Sequence, residues 1–341
     1  MMSYETRLLT SSEEDIEYAA GLIRQGELVG MPTETVYGLA ADAENPVAVK
    51  KIFEAKGRPQ DNPLIVHLAD ISQIEEYVRD VPDIAYKLAE NFCPGPLTMV
   101  LPKRDRIPDI TSAGLDTVGI RIPGHKTARV LIKASGKAIA APSANLSGSP
   151  SPTAAEHVMK DMEGRIPAVI DGGSCPVGVE STVISFEDGR IRLLRPGFVS
   201  AEELSEFAEV ITDRHITEAA SEGEQVRSPG MKYKHYSPKA NVTIIEGSEK
   251  EYLKYVNSRG GEGVFAMPFD STAADCKIPG ISYGDTSEEQ AARLFAVLRE
   301  FDEIGARQVY AQCPSSDGVG LAVYNRLLRA AGFEIIKVQK E

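Results

Sequence analysis

No run in this 341-residue sequence approaches the ~18 consecutive apolar residues of a membrane-spanning helix. The opening segment, MMSYETRLLTSSEEDIEYAA, is acidic and has neither the basic start nor the apolar block of an export signal, so the expected location is the cytoplasm. Cysteine is scarce. Cys93, Cys175, Cys276 and Cys313 stand far apart with no CxxC pair, so neither a zinc ribbon nor a disulfide framework is suggested, and the thiols are expected to be reduced and mostly buried. There is no GxxxxGKS/T, HExxH, GxSxG or HRD motif, which leaves phosphate-loop, zinc-hydrolase and serine-nucleophile chemistries without support. A basic surface is also lacking. Net charge is −13, and residues 1–200 carry 21 Lys and Arg against 27 Asp and Glu, while 201–341 carry 16 against 23. Tight binding to nucleic acid through a general basic surface is therefore disfavoured.

What is present is enough chain for two bodies, since ordinary domains run to roughly 100–200 residues. Up to about residue 211 the sequence reads as a mixed α/β body. Helix-like stretches (11–24, PVAVKKIFEAKG and 72–92) accompany strand-like runs such as LVGMPT, PLIVHL, PLTMVLP, TVGIRIP, KAIAAPSAN, AVIDGG, ESTVISF and IRLLRPG. Residues 212–240 hold few large apolar side chains and read as a linker. From 241 to 341 strand and helix alternate strictly: NVTIIEG, KEYLKYVNSRGG, GVFAMPF, SEEQAARLFAVLREFDEIGA, QVYAQCP, LAVYNRLLRAAG, FEIIKVQ. That alternation predicts a small Rossmann-like parallel sheet, and without GxGxxG it implies no dinucleotide site.

The candidate chemistry lies at strand ends in the first 200 positions. KGRPQDNPLIVHL offers Lys56, Arg58, Asn62 and His67; the two cations suit a polyphosphate, or else a solvated turn, and a histidine within an apolar run is more often a satisfied core group. PTETVYGLAADA offers Thr33, Glu34 and Thr35 on a turn, or alternatively as a helix cap. Thr98 in PGPLTMVL carries no strong role. Arg121 sits mid-strand, where a charge is costly unless it meets a ligand anion or a buried carboxylate. APSANLSGSPSPT crowds Ser143, Asn145, Ser147, Ser149 and Ser151 between prolines, either as donors for phosphates or as a flexible loop, and VESTV with LLRPG adds Glu180, Ser181, Thr182 and Arg195.

PTETVYGLAADA, KGRP with NPLIVH, PGPLTMVL, GIRIPGH, APSANLSG, VESTV and LLRPG, in this order, together with SPGMKYKHYSPKA, resemble the YrdC-type threonylcarbamoyl-AMP synthase family in its long, two-domain form. The resemblance implies a twisted YrdC-like α/β domain over 1–211, a linker over 212–240 covering the active site, and a Rossmann-like domain over 241–341. It implies an enzyme that turns L-threonine, bicarbonate and ATP, with Mg2+ accompanying the ATP, into L-threonylcarbamoyladenylate and pyrophosphate. The product is handed to a tRNA threonylcarbamoyl transferase complex, and direct tRNA binding is weak or absent. The threonine contacts implied are Thr35, His67, Arg121, Ala141 through its backbone, and Ser181. The ATP contacts implied are Arg58, Asn62, Thr117, Ser143, Ser151, Arg195, His235 and Tyr236. Lys56 and Arg58 are the catalytic candidates, with no protein metal site, and Ser185 stands where the family often has Asp. An RNA-binding module, or carbamoyl transfer to another acceptor, are the alternatives.

Overall fold

The computed structural model describes residues 4–213, 216 and 236–338. The chain divides into two compact units. The first takes Met1–Ser147 and Ser151–Lys232, and the second takes Tyr233–Glu341 together with Gly148–Pro150. The Ser/Pro loop is thus shared between the units. Most of the expected linker, including Lys232, Lys234 and His235, lies outside the described residues.

The first unit is built on eleven strands: β1 (Arg7–Leu9), β2 (Val29–Met31), β3 (Gly38–Asp42), β4 (Ile65–His67), β5 (Leu97–Pro102), β6 (Thr117–Arg121), β7 (Ile139–Ala140), β8 (Ala168–Ile170), β9 (Thr182–Glu187), β10 (Arg190–Arg195) and β11 (Val210–Thr212). They form one mixed sheet in the order β1-β8-β2-β3-β7-β4-β6-β5-β9-β10-β11. Helices flank it. Glu13–Arg24 starts on Ser12, whose side chain accepts from the Asp15 N–H, and buries Ile16, Ala19, Ala20 and Ile23. Pro46–Lys56 starts on an Asn45 cap with proline in its first turn and ends on Gly57 at φ +62°, and the Arg58 N–H returns to the Phe53 carbonyl at 3.0 Å. That closure fixes where the Lys56 and Arg58 side chains leave the helix.

One local reading changes and one alternative falls away. The helix-like stretch 72–92 is broken into Ile74–Tyr77 and Asp83–Phe92. Asp80 turns to φ +54°, and Pro82 cannot continue the first helix. PTETVYG forms no helix cap. Thr33 Oγ1 accepts the Thr35 and Val36 N–H groups at 3.2 and 3.3 Å and donates to the Val36 carbonyl, a side-chain-closed turn that leads directly into β3. The thiols are free, as expected, but only Cys175 is buried; the other three are partly exposed because they sit at element ends.

The second unit has four parallel strands, β12 (Asn241–Glu246), β13 (Val264–Met267), β14 (Gln308–Gln312) and β15 (Ile335–Lys337), in the order β13-β14-β12-β15. Their connections carry the helices Glu249–Val256, Ser287–Glu303 and Val319–Ala330. Ser287–Glu303 opens on a Thr286/Glu289 capping box and buries Leu294, Phe295, Leu298 and Phe301. Among the described residues, no helix is long and apolar enough to cross a membrane.

Candidate active site

Residues paired across strands share a face of the sheet, so the register decides which side chains can meet. His67 pairs with Arg121, Ile65 with Gly119, Thr98 with both Arg121 and Val183, and Val100 with Gly119. Thr117, Gly119 and Arg121 alternate along β6 on that same face. Three neighbouring strands therefore aim His67, Arg121, Thr98 and Thr117 to one side, and Ser181, at the entrance to β9, joins them. Gly119 keeps the face low in the middle, since a Cβ there would stand 3.0 Å from Thr98 Cγ2.

Arg121 is 4% exposed. Its Nη2 donates to Glu34 Oε1 at 2.7 Å and its Nε to the Gly95 carbonyl at 3.4 Å. Of the two partners expected for a mid-strand charge, the chain itself supplies the carboxylate. Burial pushes the Glu34 carboxyl up, but the Arg121 charge and hydrogen bond outweigh it, and the group lies below the ordinary glutamate range. Its second oxygen, Oε2, is buried with no hydrogen-bond partner. His67 is 2% exposed; burial first, then the Arg121 charge, pushes its pKa down to about 3, so the ring is neutral, and its Nδ1 has no partner.

Ser181 is held from two sides. Thr98 Oγ1 lies 2.8 Å from Ser181 Oγ, and Arg195 donates from Nη2 to Ser181 Oγ and from Nε to the Ser181 carbonyl, both at 3.1 Å. Gly197 packs so closely here that a Cβ would meet the Thr182 nitrogen at 2.2 Å. Ser151 donates to Glu180 Oε1 at 2.6 Å, which ties the 151–153 segment to the same corner.

The helix end and the Ser/Asn loop form the other wall. Lys56 Nζ donates to the carbonyls of Ser143 and, at 2.7 Å, Asn145, and the Ser147 N–H returns to the Lys56 carbonyl at 2.9 Å. Ser143 also bridges to Gly38, and the Ala141 N–H donates to the Ile65 carbonyl at 3.1 Å, which docks the loop on β4. The Lys56 ammonium thus clamps the loop backbone. Asn62 has no exposed surface, and neither its Oδ1 nor its Nδ2 has a hydrogen-bond partner. Its neighbour Pro63 lines a narrow pocket with Ile65, Thr98, Thr117, Gly119 and Val183.

Thr35, Lys56, His67, Thr117, Arg121, Ala141, Ser143, Ser151, Ser181 and Arg195 accordingly belong to one connected arrangement in the first unit, with Asn62 and Arg58 at its margin. Tyr236 packs in the second unit, its ring 5.1 Å from that of Phe295, and His235 lies outside the described residues. Sequence reasoning gave Thr98 no role, and it gave Glu34 no partner. Both acquire one only through pairings across 83 and 87 residues of chain, for which no local pattern exists.

Comparison with known proteins identifies the family and the fold. The Sua5/YciO/YrdC family model, described as "Telomere recombination", matches residues 21–197, and a model described as "Threonylcarbamoyl-AMP synthase, C-terminal domain" matches 199–332. The chain is 46% identical over 335 residues to a threonylcarbamoyl-AMP synthase of Pyrococcus abyssi, and 46% identical over 336 residues to one of Bacillus subtilis, covering 96% of each partner in both cases. The solved structure of P. abyssi Sua5 complexed with L-threonine superposes with a TM-score of 0.92 at 44% identity, over 98% of this chain and all of that one. With both halves matched and relatives aligned from end to end, the chain belongs to the threonylcarbamoyl-AMP synthase family.

Proposed function

We propose that this chain condenses L-threonine, bicarbonate and ATP into L-threonylcarbamoyladenylate and pyrophosphate, for the threonylcarbamoyladenosine modification of tRNA. The relatives' names and the threonine-bound neighbour support the reaction. The observation that carries it in this molecule is a set of buried polar groups with unmet hydrogen bonds: His67 Nδ1, on the strand paired with buried Arg121, has no partner, and the Asn62 amide is enclosed and unpaired at the margin of the site. Native interiors satisfy such groups, so orphaned ones mark a place for a polar ligand.

The reaction balances without an enzyme nucleophile. A threonine ammonium and bicarbonate give a carbamate, water and a proton. A carbamate oxygen then bonds to the α-phosphorus of ATP as the bond to the β-phosphate oxygen breaks, and pyrophosphate leaves with that electron pair. The protein's work is alignment and charge neutralisation. Arg121 takes the threonine carboxylate. Ser181, oriented by Thr98 and Arg195, and Thr35 take its hydroxyl, and neutral His67 offers a hydrogen bond that adds no charge. Arg58 and the Ser143 hydroxyl take the phosphates, with Thr117 on the Arg121 face and Asn62 at the margin, while Ser151, whose hydroxyl donates to Glu180, holds its segment in place for the nucleotide.

Lys56 acts through the loop it clamps. Mg2+ accompanies ATP as a neutralising charge. Among the described residues no three His, Cys, Asp or Glu side chains gather to hold an ion, and no step is routed through it. The adenylate passes to a separate transferase.

The test is direct. Incubated with ATP, bicarbonate and either threonine or serine, the protein yields threonylcarbamoyladenylate and pyrophosphate by mass spectrometry, with threonine preferred. ATP turnover without any carbamoylated adenylate overturns the reading.

A further inference from the structure

Glu34 enters the site as the partner of Arg121, but one oxygen suffices for that. Oε1 receives the Arg121 Nη2 donor at 2.7 Å, while Oε2 is buried with nothing to accept from. The backbone N–H groups of Gly124 and of Glu34 itself favour the charged carboxylate, yet neither forms a hydrogen bond to Oε2. Nor is the group free to swing away. The Glu34 carbonyl accepts the Val177 N–H at 2.9 Å, the neighbouring Thr33 closes the turn that carries it, and Gly124 presses against it so closely that a Cβ there would lie 3.3 Å from the carboxyl carbon. A fixed, buried carboxylate oxygen without a donor is unfavourable unless a ligand supplies one.

The ligand that supplies it must carry an N–H or O–H and tolerate an anion at contact. Phosphates and bicarbonate are repelled there. An α-amino acid is the opposite case: its amino and carboxylate groups sit on one carbon, and an arginine and a glutamate held side by side match them in charge and spacing. Resting on the function proposed above, we infer that Glu34 Oε2 receives the amino group of the threonine whose carboxylate sits on Arg121. Glu34 is then the residue that reads the substrate as an amino acid and turns the reacting nitrogen. With one N–H held on Oε2, the nitrogen lone pair released by deprotonation points away from the carboxylate, where the bicarbonate carbon can approach.

The alternative is that Glu34 only orients Arg121. The two are separated by comparing threonine with 3-hydroxybutyrate, which keeps the carboxylate and hydroxyl but has no amine, in calorimetric binding to the full chain. Wild-type protein is expected to bind threonine roughly 10–100-fold more tightly than 3-hydroxybutyrate, the value of one charge-assisted hydrogen bond. Glu34→Gln is expected to lose most of that ratio while binding 3-hydroxybutyrate as wild type does, and to show a raised threonine KM that added threonine overcomes. Equal weakening of both ligands in Glu34→Gln overturns the inference in favour of a purely orienting role. So does a wild-type protein that binds both equally, a result that needs no variant to fold. Adenylate formation by the wild-type protein is assayed alongside, so that its absence, which strikes the proposed function, is told apart from an unchanged ratio, which strikes only Glu34.

Discussion

The two faces of the large sheet are one residue apart in sequence and opposite in character. On one, Val66 pairs with Ile120, Ile120 with Met99 and Met99 with Ile184, all four without exposed surface. On the other, His67 pairs with Arg121 and Arg121 with Thr98. The apolar face packs the core and is complete in itself. The polar face holds charges and unmet hydrogen bonds that stability alone does not explain. The period-two alternation of strands lets the same short segments serve both ends, because stability and function occupy alternate positions.

The comparison breaks most sharply at one adjacent pair. Arg121→Ala is expected to abolish threonine binding and adenylate formation and, by leaving Glu34 buried beside no cation, to cost on the order of 3 kcal/mol in denaturant unfolding. Its neighbour Ile120→Ala is expected to cost about 2–4 kcal/mol by cavity formation, yet to leave the threonine affinity of the folded protein within about twofold. Comparable effects of both substitutions on affinity would show that the faces are not separate.

His67 sharpens the contrast through pH. Its folded pKa, near 3, lies below the ordinary value of 6.5, so the unfolded chain takes up a proton first and stability falls as pH drops from 6.5 towards 3. Between pH 7.5 and 4.5 this amounts to about 2–3 kcal/mol, which His67→Gln should lack in a side-by-side unfolding series. Above pH 6.5 His67 is expected to add no pH dependence to the threonine KM, because the ring stays neutral whether or not threonine is bound.

The smallest effect belongs to Thr98. Thr98→Val keeps the shape but removes the hydrogen bond to Ser181, for which about 1 kcal/mol and a few-fold rise in threonine KM are expected, with ATP KM unchanged.

How much of this was legible in the sequence follows from how far each feature reaches along the chain. The helix Pro46–Lys56 was readable because its Asn45 cap, first-turn proline and terminal Gly57 are local. The alternation of the second unit was readable because each connection carries its own helix. The break between Ile74–Tyr77 and Asp83–Phe92 was missed because the apolar pattern runs across it while Pro82 interrupts the backbone. Within the site, the motif residues stand out by type, but type alone does not show that Lys56 holds the Ser143 and Asn145 carbonyls.

The sequence by itself determined the element order, the absence of the standard nucleophile and phosphate-loop motifs, and the polar residues at strand ends, since composition and short-range spacing carry those. Only the tertiary structure decided that Glu34 meets Arg121, that Thr98 orients Ser181, and that Asn62 and His67 are buried without partners. These follow from which strands become neighbours and in what register, a choice made by packing the whole apolar face at once rather than by any one stretch of residues.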